Sequence, residues 1–229
     1  METPNINIIK KQLLELSRDM KYQKALIIID KYIRKNKETD WILLRKSFVL
    51  YHYAAALMYG DLNHPNKKKI ISDNFKSAIN ICKKIINAKN DDSDIINARM
   101  YLAQIYVMLK QNTKAEKFAK QSYKYSPSAF SAERLADIYM RAENLNSAIL
   151  WYRKAVKKTE NYTEKLISQI SLAVCYKKKN NQKQALKEAA IAEKYFRHSI
   201  KDTNAKILGK SLYENFPQLK KTTTKKILL

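Results

Sequence analysis

The stretch LADIYMRAENLNSAILWYRKAV, residues 135–156, sets small alanines at fixed distances from tyrosines. Ala136, Tyr139, Ala148, Tyr152 and Ala155 follow one another at offsets of 3, 9, 4 and 3. The same offsets recur 33 residues earlier at Ala103, Tyr106, Ala115, Ala119 and Ser122, and 37 residues later at Ala173, Tyr176, Ala185, Ala189 and Ala192. This spacing constrains the fold strongly. Two helices approach closely only where the facing side chain is no larger than a methyl group, and an aromatic ring fills the wider gap beside it. Three copies read as one repeated helix–turn–helix unit, with Pro127 closing the first of them.

Apolar residues recur at three- and four-residue steps along most of the chain, the period of amphipathic helices. Thr3-Pro4 is a good helix start, and the first helix is expected to run to about Asp19. Further helices are expected near 22–36, from Asp40 to Met58, and near 74–88, 94–110, 113–125, 128–142, 145–158, 163–179, 182–198 and 200–215. Gly60 can end the third in a left-handed conformation, and Asn112, Asn144 and Asn180-Asn181 mark turns between paired helices. Only 2 Gly and 4 Pro occur in 229 residues. That shortage argues against sheet folds rich in turns and removes any glycine-rich cradle for phosphates.

The alanine–tyrosine pattern resembles the tetratricopeptide repeat family, whose period is about 34 residues. Ala103, Ala136 and Ala173 match its small residue in the first helix. Tyr106, Tyr139 and Tyr176 match the aromatic one turn later, and Ala115, Ala148 and Ala185 match the alanine opening its second helix. Two earlier units are degenerate. Ala25, Ile29 and Tyr32 fit a second helix, but Leu13 replaces the small residue of the first. Ala55 and Ala78 fit the next unit if about eleven residues within 60–73 are an insertion.

The resemblance implies an all-α, right-handed superhelical solenoid of tetratricopeptide-like repeats over 1–198. Its units lie near 6–39, 48–94 with the insertion at about 60–73, 96–127, 129–160 and 166–198. A capping helix at 199–216 and a basic flexible tail at 217–229 complete the expectation.

In that family the first helices line a concave surface that takes extended or helical peptide segments. The inward offsets, carried over to this sequence, select His52, Tyr53, Ala56 and Tyr59 in the second unit. They select Asn97, Met100, Tyr101, Gln104 and Met108 in the third, and Phe130, Glu133, Arg134, Asp137 and Arg141 in the fourth. Ile167, Ile170, Val174, Lys177 and Lys178 follow in the fifth. Some relatives grip a partner's C-terminal carboxylate with lysine, asparagine and arginine. Here Lys10 occupies the lysine position, but Leu14 replaces the asparagine, and Asp137 lies one turn beyond Arg134 where it would repel a carboxylate. The expected occupant is therefore an apolar helix or peptide framed by polar contacts.

The formal net charge is +24 with a pI near 9.8. Lysines on solvated faces account for much of it, and lysine far outnumbers the arginine that specific phosphate readers favour. An acidic protein partner ranks above nucleic acid on these grounds. From Arg197 to Leu229 eight Lys/Arg stand against Asp202 and Glu214, which makes that segment the most plausible contact for an acidic partner.

Cys82 and Cys175 are isolated, and His52, His64 and His198 have no ligand spacing with them, so no metal or cofactor is expected. NDDSD at 90–94 lacks the central glycine and closing glutamate of a calcium loop and reads as a helix cap. No serine or cysteine has a recognisable base partner, so no enzymatic activity is expected. No apolar run spans a membrane, and the start METPNINIIKK lacks a signal peptide, so the expected location is cytoplasmic. The leading expectation is a non-enzymatic scaffold or adaptor in a larger complex. A basic nucleic-acid-binding repeat and a peptide-sensing regulatory module are the alternatives.

Overall fold

The computed structural model describes residues 6–88 and 92–219. The expected Thr3-Pro4 start and the basic tail from 220 onward lie outside these residues, as do Asn90 and Asp91 of the acidic cap. Among the described residues there are eleven α-helices and no strand. They are α1 (Ile6–Arg18), α2 (Tyr22–Lys35), α3 (Asp40–Tyr59), α4 (Lys67–Ala88), α5 (Asp92–Met108) and α6 (Asn112–Tyr125). The chain continues with α7 (Ala129–Arg141), α8 (Leu145–Lys157), α9 (Tyr162–Lys178), α10 (Gln182–His198) and α11 (Thr203–Asn215). No described helix is long and apolar enough to cross a membrane.

The chain divides within α6 into two compact units, Met1–Phe118 and Ala119–Leu229. In the first, α1 packs on α2, α2 on α3 and α3 on α4, while α5 lies against both α3 and α4. In the second, α7 pairs with α8 and α9 with α10. There α9 also touches α8, α7 and α11. First helices of successive pairs meet where α3 touches α5 in the first unit, and where α7 touches α9 and α9 touches α11 in the second.

The small residues hold the pairs together. Ala103, Ala115, Ala136, Ala148, Ala173 and Ala185 are all fully buried. Tyr106 stacks on Phe118 at 5.7 Å within the first unit, and Tyr152 is completely enclosed in the second.

The turns repeat too. Met20, Lys110, Glu143 and Asn180 adopt left-handed backbone with φ of 56°, 57°, 60° and 58°. After each, the next amide bonds back five residues: Gln111 to Tyr106 O at 2.7 Å, Asn144 to Tyr139 O at 2.9 Å, Asn181 to Tyr176 O at 3.0 Å. The repeat's own tyrosine therefore supplies the carbonyl that closes the helix, in the six-residue ring of a Schellman turn. Asparagine was expected in the left-handed position, but at two of these turns Lys110 and Glu143 hold it. Asn144 and Asn181 instead cap the following helices, their side chains accepting from Ser147 N and Gln184 N. Asparagine's short carbonyl serves a helix N-terminus better than it serves the turn.

The degenerate region differs from expectation in register. The fully buried small residue of α3 is Ala54, whereas Ala55 is only partly buried. Gly60, with φ 87°, ends α3 as expected. The extra residues do not form a 60–73 loop: α4 starts at Lys67, so only 60–66 are loop and the remainder lengthens α4 at its N-terminus.

Candidate functional site

In the first unit, α3 and α5 lie side by side and bring together an aromatic group. Phe48 packs against His52 with ring centroids 4.2 Å apart and against Tyr101 at 5.9 Å. The guanidinium of Arg45 sits over Phe48 at 5.3 Å. Phe48, His52 and Tyr101 are half-buried, as are Asn97 and Gln104 on the same helix as Tyr101. Tyr59, 65% exposed, closes one end by donating its hydroxyl to Met108 Sδ at 3.2 Å.

Helical period explains the grouping: Arg45, Phe48 and His52 stand three and four residues apart on one stripe of α3. The inward offsets located His52, Tyr59, Asn97, Tyr101 and Gln104 but passed over Arg45 and Phe48. The i, i+3, i+7 spacing of those two with His52 was the signal that could have found them.

Four other residues chosen from sequence in this unit do not offer a surface, among them Ala56 at 5% exposure. Met100 and Met108 are 4% and 6% exposed and Tyr53 is 6%. Tyr53 is turned about 100° from His52, as consecutive helical residues are. It stacks on Tyr22 of α2 at 5.9 Å and accepts a hydrogen bond from Gln23 Nε2 at 2.7 Å.

In the second unit, the residues of α7 form a charged relay rather than an open groove wall. Phe130 is 55% exposed, and the Arg134 guanidinium covers it at 4.9 Å. Arg134 also reaches Asp137 Oδ2 at 3.3 Å. The other Asp137 oxygen accepts from the buried Tyr152 hydroxyl at 2.5 Å. Burial, followed by the Asp137 carboxylate, pushes the Tyr152 phenol far up, so it stays a donor at any ordinary pH.

Glu133, one helical residue before Arg134, is buried and accepts from Ser168 Oγ of α9 at 3.1 Å. Burial raises its carboxyl above the usual range, and the Asp137 charge adds to the rise. The pairing of Arg134 with Asp137 neutralises the guanidinium that a carboxylate-gripping site would need.

Arg141 and Lys178 are exposed. Lys177 is drawn away to the end of α11, donating to Asn215 O at 2.9 Å and lying 5.5 Å from the Phe216 ring centroid. Beyond α7, a cleft of about 500 Å³ opens between α9 and α11 over Ile167, Ile207 and Leu208. The Asp202 carboxylate edges it and is held below its usual range by Thr163 Oγ1, which donates at 2.9 Å, and by the Asn204 amide.

No group of three His, Cys, Asp or Glu side chains among the described residues is placed to hold a metal ion. Cys82 and Cys175 are both buried.

No family model matches the chain, and no curated protein matches it. Solved structures do. A MamA double mutant superposes with a TM-score of 0.56 at 16% identity, over 86% of this chain and 97% of that one. MamA residues 41 to the end, from Desulfovibrio magneticus RS-1, gives 0.51 at 16% identity over 84% and 95%. A further MamA crystal structure gives 0.51 at 14% identity over 82% and 96%. MamA is of the tetratricopeptide type, and at these identities the likeness is one of fold.

Proposed function

From a tetratricopeptide-type repeat fold, we propose that this chain is a protein-interaction scaffold without catalytic chemistry of its own, and that the α3–α5 face of its first unit takes a protein or peptide segment. The observation that carries this reading is the half-buried Phe48–His52–Tyr101 group with Arg45 at its edge. Partly exposed aromatics beside a guanidinium are the side chains that supply most binding energy when a partner completes their burial. Asn97 and Gln104 supply amide donors and acceptors alongside, which suits the backbone of an extended or helical segment. Such a face is compatible with scaffolding in the assembly of a larger complex.

The test is panning of a random-peptide display library on the full chain, followed by titration of the enriched peptides. Phe48→Ala with Tyr101→Ala should weaken those peptides at least tenfold while the circular dichroism of the helices is kept. Enriched peptides that bind the double variant as tightly as the parent would move the site off this face.

A further inference from the structure

The second helices of the second unit sort their charges by sign. The α8 sequence LNSAILWYRKAVK contains no acidic residue, and Arg153, Lys154 and Lys157 project from it into solvent. On α10, Lys183, Lys187 and Lys194 are exposed, while both glutamates are turned inward at 7% and 8% exposure. Glu188 accepts from Gln169 at 2.6 Å and from Gln184 at 2.7 Å, and Glu193 from Arg197 at 3.0 Å. Residues 119–125, AKQSYKY, add Lys120 and Lys124 and again no acid.

These helices form one surface. Tyr123 meets Trp151 edge-on at 4.7 Å, with Lys154 Nζ 4.6 Å and 4.5 Å from the two ring centroids. Arg153 bridges α8 to Glu188 of α10 at 3.8 Å, above a shallow groove of about 310 Å³ that Lys157 also lines. Drift toward lysine would scatter positive charge, but it would not bury both acids of α10.

We propose that this second-helix face binds the phosphate backbone of nucleic acid, without reading its sequence. Leu150 and Tyr125 are the large apolar side chains exposed on these elements, and the half-buried Tyr123 and Trp151 pack on each other beside Lys154, so exposed cations outnumber the apolar anchors that a protein partner or membrane insertion uses. Phosphate contact needs only cations at intervals. Lysines three and four residues apart recur about every 4.5 to 6 Å along a helix. As point charges on flexible stems they contact phosphates but not base edges, which call for bidentate donors. The face lies on helices other than those of the proposed peptide site, so either proposal can fail alone.

The experiment is fluorescence anisotropy of the full chain with a labelled 20-mer, single-stranded and duplex, from 50 to 200 mM KCl. If four phosphates are neutralised, affinity should fall about 50-fold (single strand) to 150-fold (duplex) across that range. Exchanging Lys157, Lys183, Lys187 and Lys194 for Gln should cost at least tenfold at 50 mM and flatten the salt response. A control with Lys31, Lys35, Lys76 and Lys83 exchanged for Gln carries the same net charge and should change affinity less than threefold, with both variants folded by circular dichroism. Absence of binding at 50 mM, equal loss in the two variants, or tighter binding to polyglutamate or to vesicles containing phosphatidylserine would each overturn the proposal.

Discussion

The Tyr152 hydroxyl donates to Asp137 Oδ1 at 2.5 Å across the α7–α8 pair, and Arg134 holds the other oxygen of the same carboxylate. A residue of the repeat's core pattern thus fixes a charged residue of its first-helix face. Removing the donor leaves a carboxylate half-desolvated with one partner fewer, and hydrogen bonds to charged groups are worth about 1.5–3 kcal/mol. Tyr152→Phe should lower stability by that amount in urea melts. Combined with Asp137→Asn, it should cost less than the sum of the two single changes, because the pair shares one interaction. Additive losses would mean that the hydroxyl and the carboxylate act independently.

Glu133 gives a prediction in pH. Its folded-state carboxyl is raised, by burial first and by Asp137 second, above the ordinary value of 4.5. A raised acid favours the protonated native state. Its contribution is therefore fully present below pH 4.5 and is lost as pH rises through the raised value. Glu133→Gln removes the titration while keeping an acceptor for Ser168. The variant should gain on the parent as pH climbs from 4 to 7.5, followed by urea midpoints at each pH. A stability difference that stays constant, or a parent that gains on the variant as pH rises, would place the Glu133 charge in a well-solvated setting.

The two cysteines report on the two units separately. Cys82 in the first is enclosed beside Ser47 Oγ at 3.0 Å, and burial pushes its thiol up to about 12. Cys175 in the second is raised to about 11, again chiefly by burial. Alkylation needs both thiolate and access, so iodoacetamide at pH 8 should modify neither until its unit opens. Mass spectrometry of the labelled chain in rising urea should then show whether the two sites become reactive at one concentration or at two. Modification of either within minutes in native buffer would contradict the enclosed geometry.

The sequence was informative where the fold is set by a few tight contacts. Ala136 and Ala148 are fully buried where two helices meet, and alanine recurs at both registers in all three copies, so its spacing announces the pair. It was less informative where several residues satisfy the same contact. Ala54 and Ala55 stand next to each other, and only packing against α4 and α5 selects Ala54. Likewise, offsets fix which side of a helix faces inward but not what covers that side. Met100 and Met108 are buried by neighbouring helices, whereas Phe48 is half open in a unit whose repeat pattern is weak.

The docking of α11 depends on Gly209. A methyl group built there would stand 2.5 Å from Phe196 Cε2 and 2.6 Å from Cζ, inside contact distance. Alanine would add about 1 kcal/mol of helix propensity. Against that, the Phe196 ring is held edge-on to Tyr213 at 6.1 Å, so moving it breaks a second contact of the same helix. Overpacking of this kind costs about 1–3 kcal/mol, which outweighs the propensity gain. Gly209→Ala should therefore loosen α11, seen as faster amide hydrogen exchange over 203–215 with little change over α7 and α8. Adding Phe196→Leu, which shortens the obstructing ring, should restore part of the protection. Slower exchange in the single variant would show that Phe196 swings aside freely and that propensity decides.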